Sequence, residues 1–82
     1  MFPRQVACEY IKNLEEHKHV SAKWLGDALQ QHRTELKGLG KEIENLEFVP
    51  LNIVRRMIDL NYIYDNLQKM YLKKAHEERT RL

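Results

Sequence analysis

Leu51-Asn52-Ile53-Val54-Arg55-Arg56-Met57-Ile58-Asp59-Leu60-Asn61-Tyr62-Ile63-Tyr64-Asp65-Asn66-Leu67-Gln68-Lys69-Met70-Tyr71-Leu72 is the stretch that decides the fold. Within it Ile53, Met57, Leu60, Tyr64, Leu67 and Tyr71 recur at spacings of three and four, which draws one apolar stripe along an α-helix. Val54 and Ile58 widen the stripe on one flank, and Ile63 and Met70 widen it on the other. Pro50 suits a first helical turn, where its missing N–H costs nothing, and no Pro or Gly follows to stop the helix. The spacing therefore predicts one long helix from about Leu51 to Arg79, on the order of 40 Å at 1.5 Å per residue. A stripe that wide needs cover on more than one side, and the preceding residues are expected to supply it as helices.

Length and composition agree with that expectation. The chain has 82 residues, 43% of them hydrophobic and 32% charged, with three Gly and two Pro. This suits one small domain spanning residues 1–82 that buries only about 60% of its unfolded surface, so its stability margin is thin. Cys8 is the single cysteine and has no partner for a disulfide within the chain. Lying on the apolar side of the first predicted helix, it reads as a buried thiol in a reducing compartment, cytoplasm or nucleus. No run of 18 apolar residues occurs, and Arg4 and Glu9 interrupt the N-terminal stretch. Neither a membrane span nor a secretory signal is expected.

Net charge is +2 and uneven. Residues 1–48 hold seven Lys or Arg against eight acids, and residues 49–82 hold seven against four. The long helix is the basic part, but an excess of three charges falls well short of a nucleic-acid-binding arm.

Ahead of the long helix, Val6, Ala7, Tyr10, Ile11 and Leu14 share a helical face, predicting a helix from Pro3 to Glu16. The polar run Glu15 to His19 reads as a turn, and Ser21 stands where an N-cap belongs. A second helix should follow with Trp24, Leu25, Ala28, Leu29 and His32 toward the core, ending at Leu36 with Gly38 as its stop. Leu39, Ile43 and Leu46 then predict a short third helix over residues 40–47. The alternative is a single helix over residues 22–47 that tolerates both glycines at about 1 kcal/mol each. Phe48-Val49-Pro50 makes the corner into the long helix, because the residue before proline avoids the helical region. Past Leu72 the apolar pattern fades; Lys73 and Glu77, and Lys74 and Glu78, are spaced as helical ion pairs, and the last turns, about residues 74–82, are expected to fray. The fold class is all-α, a small bundle of three to four helices with one long C-terminal helix.

Motifs for chemistry are scarce. His17 and His19 beside Glu15 and Glu16 match no structural zinc spacing and read as a solvated turn. The histidines lack the context of a nucleophile and base, and Gly38-x-Gly40 lies between helical segments rather than after a strand. No enzyme, cofactor or metal is expected. Val20 to Leu29 resembles the second helix of a helix-turn-helix domain, a resemblance that implies a tight turn and a polar recognition helix next; Gly38 and Gly40 occupy that place.

The function expected is therefore a non-enzymatic protein–protein interaction module that binds an amphipathic segment of a partner or a second copy of itself. Its contact surface is assigned to the over-wide edge of the long helix, Val54, Arg55, Ile58, Asp59 and Tyr62, with the two charges as a rim. The alternative is nucleic-acid binding through Arg55, Arg56, Lys69, Lys73, Lys74, Arg79 and Arg81.

Overall fold

The computed structural model describes residues 2–17 and 20–80. It contains three helices, α1 (Gln5–Glu16), α2 (Ala22–Ile43) and α3 (Leu51–Thr80), and no strand among the described residues. The long helix begins directly after Pro50, as its apolar stripe requires. Both other helices pack on it. α2 runs antiparallel to α3: Ala22 lies opposite Glu78, Gly26 opposite Tyr71 and Glu35 opposite Arg56. α1 runs parallel to α3, with Arg4 beside Asp59 and Cys8 beside Tyr62.

The core lies where all three helices meet. Ile11, Leu25, Ala28 and Leu67 are its buried centre, with Tyr10, Leu14, Leu29, Ile63, Met70 and Tyr71 packed around them. Leu67 is wholly inaccessible and Leu60 is 7% exposed. Ser21 caps α2, its Oγ accepting from the Trp24 backbone N–H at 3.1 Å. That bond satisfies one of the free donors of the first turn.

Several expectations are corrected. There is no break at Gly38 and no separate third helix over residues 40–47: α2 passes through Gly38 and Gly40 to Ile43. Neither glycine has positive φ. Two interior glycines cost a helix roughly 2 kcal/mol, which packing along the facing stripe of α3 outweighs. Leu29 is half-buried where it packs against the core. Ile53 and Met57, on the predicted apolar stripe, are also half-buried, because α1 starts opposite Asp59 and covers nothing nearer the α2–α3 turn. Trp24 is 45% exposed rather than core, and Val6 is 77% exposed. Trp24 sits beside the α1–α2 connection, sharing a small hollow with His17, Val20 and Ser21. Cys8 is half-buried at the α1–α3 seam, not fully enclosed. The long helix, expected to about Arg79, runs to Thr80, with Glu78 accepting from the Ala22 backbone N–H at 3.4 Å. Among the described residues the ion pairs are Arg4–Asp59 and Arg56–Glu35; Lys73–Glu77 and Lys74–Glu78 are not formed.

Candidate interaction surface

Among the described residues Asp59 is the buried charge, at 9% exposure. Its Oδ1 accepts from the Arg4 backbone N–H at 2.7 Å and its Oδ2 from Arg4 Nε at 2.5 Å. Arg4 is the N-cap position of α1 and has no side-chain cap of its own. A carboxylate from α3 thus accepts the N–H of the α1 N-cap residue and lies at the positive end of α1, 55 positions away in sequence. Burial works to raise the Asp59 carboxyl, but the hydrogen bonds and charge of Arg4, helped by Arg56, outweigh it and hold the carboxyl below its ordinary 3.8.

A depressed folded value means that the contribution of Asp59 is complete above the unfolded value and fades as pH falls through the folded one. Asp59→Asn is expected to cost about 1 kcal/mol at neutral pH, with the gap between wild type and variant closing below about pH 4. Urea unfolding at pH 7 and pH 3 measures it. An equal gap at both values would mean that the charge is not what matters.

Asp59 belongs to the five residues assigned to the contact surface, and the structure places it in the α1–α3 seam. Asp59 is no exposed rim; it is engaged in holding α1. Tyr62 packs on the core from the same seam. Burial, then the Cys8 thiol and the Glu15 charge, push its phenol up. Arg55 is exposed, and Val54 and Ile58 are half-buried. The five residues therefore split: two secure α1, and three flank the part of α3 that α1 does not reach.

None of the described residues between Ala28 and Asp59 is buried. The stretch nevertheless contains Leu36, Leu39, Ile43, Ile53 and Met57, all half-buried between two helices with no third to close over them. At its end Leu46, Phe48, Val49 and Leu51 are exposed by 46%, 81%, 40% and 51%. Glu42, Glu44 and Glu47 stand among them, also exposed, with Lys41 as the cation. In the sequence Leu46 repeats with Leu39 and Ile43 at helical spacing, and Phe48 belongs to the corner before Pro50. The signal available was composition: four large apolar residues within six positions, three in the short α2–α3 connection and one opening α3.

The other end of the molecule carries an open groove of about 620 Å³ between the end of α1, the start of α2 and the second half of α3. Leu14, Val20, Leu25 and Met70 form its apolar floor; Lys69, Lys73 and Lys74 line it with Glu15 and Glu77. These three lysines belong to the predicted nucleic-acid set, but the set is scattered. Arg56 is paired with Glu35 at 2.9 Å toward the opposite end, Arg79 is in the last turn of α3, and Arg81 lies outside the described residues. His19 does also, and among the described residues no group of three His, Cys, Asp or Glu side chains is placed to hold a metal ion.

Comparison with known protein families, characterised proteins and solved structures finds no match. Among the described residues no helix is long and apolar enough to cross a membrane.

Proposed function

We propose that this chain is a non-enzymatic protein–protein interaction module, a small helical bundle whose α2–α3 end receives an amphipathic segment of a partner or a second copy of the chain. The supporting observation is the contrast between the two ends: a three-helix core around Leu67, and no buried residue between Ala28 and Asp59 despite its apolar content. Contiguous exposed apolar surface is a liability unless something binds it. Val54, Arg55 and Ile58 form the near edge of the proposed surface, and Phe48 is its most exposed aromatic. An aromatic anchor among charges supplies contact area together with steering.

Nucleic-acid binding is the rival reading, favoured only by the lysines of the groove. The experiment is a titration of generic DNA and RNA at low salt and near physiological salt. The module reading expects weak binding that collapses as salt rises, because phosphate contacts release counterions. Sub-micromolar affinity that persists near physiological salt would overturn it.

A further inference from the structure

The apolar, acidic tip at the α2–α3 connection and the groove with an apolar floor and three lysines at the other end carry opposite charge excess. The tip offers Phe48, 81% exposed, with Glu44 and Glu47 beside it in sequence. The groove offers about 620 Å³ over Leu14, Val20 and Met70, with Lys69, Lys73 and Lys74 against Glu15 and Glu77. One chain cannot join the two. Leu51 and Lys73 lie roughly 33 Å apart along the single helix α3 at 1.5 Å per residue, in a molecule 52 Å long. Two chains side by side in opposite directions bring each tip to the other's groove.

We propose that the occupant of each groove is the Phe48 tip of a second copy, in a closed antiparallel dimer. The arrangement is isologous: tip on groove and groove on tip are the same contact repeated by a two-fold axis, so association stops at two. A second copy is favoured over an unrelated peptide because both halves of the contact stand on this chain with opposite charge excess, three lysines over two acids in the groove and three acids over one lysine at the tip. Phe48 enters the apolar floor, and Glu44 and Glu47 pair with Lys69 and Lys73. Arg55 and Ile58 are left at the edge. This inference rests on the interaction-module reading and narrows it to one partner.

Sedimentation velocity over a concentration series of the full chain tests it, with helicity followed by circular dichroism. Wild type should pass from monomer to dimer and no further. Phe48→Ala should weaken association about thirtyfold, as loss of a buried aromatic anchor does, with unchanged helicity because Phe48 carries no core contact. Glu44→Lys/Glu47→Lys and Lys69→Glu/Lys73→Glu should each be monomeric where wild type is dimeric. Mixed one to one they should form a heterodimer, since each tip then meets a groove of opposite sign. A chain that stays monomeric at every concentration, species larger than a dimer, or a dimer indifferent to both charge reversals would overturn the proposal. A monomer that also fails to hold DNA or RNA at physiological salt removes the second copy while leaving the module reading in place; tight nucleic-acid binding removes that reading itself.

Discussion

Leu67→Ala is expected to unfold this protein near room temperature or leave it barely folded. Leu67 has no exposed surface, and it packs where Ile11 of α1 and Leu25 and Ala28 of α2 converge on α3. Truncating a fully buried leucine removes its transfer free energy and leaves a cavity, together about 2 to 5 kcal/mol. Domains of this size have total stabilities at or below the lower end of the usual 5 to 15 kcal/mol. Each kcal/mol corresponds to about 4 to 8 °C in Tm at this length. Thermal melts by circular dichroism should therefore show a loss of ten degrees or more, with no native baseline at the upper end of the range. Leu72→Ala, at 60% exposure on the same helix, is the control and should stay within about 0.5 kcal/mol. Equal effects at the two positions would mean that the convergence on Leu67 is not the core.

Gly38→Ala combined with Gly40→Ala should move stability the other way, by approaching 2 kcal/mol. Both glycines are helical residues of α2, neither has positive φ, and a Cβ added at either would meet nothing within 4 Å. A helix-interior glycine costs about 1 kcal/mol relative to alanine, mostly as backbone entropy lost on folding. Gly40 lies near the last turn, so its share is the smaller. Tm should rise by roughly 5 to 15 °C. If residues 36–40 were instead a break between two helices, alanine there would favour the wrong backbone and the melt would fall.

The sequence made the long helix readable because Pro50 and a three-four apolar repeat agree about where it starts and which face it buries. The Ser21 cap was readable for a similar reason, since its effect reaches only three residues. What could not be read was anything that depended on how far one helix extends along another. Periodicity placed Asp59 on the polar side of α3, yet α1 arrives on that side, and Arg4 turns an outward carboxylate into a buried clamp. The same ignorance of where α1 begins made Ile53 and Met57 look as deeply buried as Leu60 and Leu67. Gly38 and Gly40 looked like punctuation because local propensity was set against a packing term that no window of sequence contains. Trp24 was placed toward the core together with Leu25 and Ala28, although it lies one position off the buried line that those two form.

One end of this molecule holds a core to which all three helices contribute, and the other is a pair of helices that α1 does not cover, the end proposed to receive a partner. Hydrogen exchange of backbone amides in dilute solution, below the concentration at which copies associate, tests that contrast most directly. Exchange at the core end, around Leu25 to Leu29 in α2 and Leu60 to Met70 in α3, should require global unfolding. Amides from Leu36 to Ile43 and from Ile53 to Ile58 should exchange much faster through local opening, since little apolar burial holds them, and should slow as concentration rises. Uniform protection along the whole of α2 and α3 in the dilute protein would contradict the account.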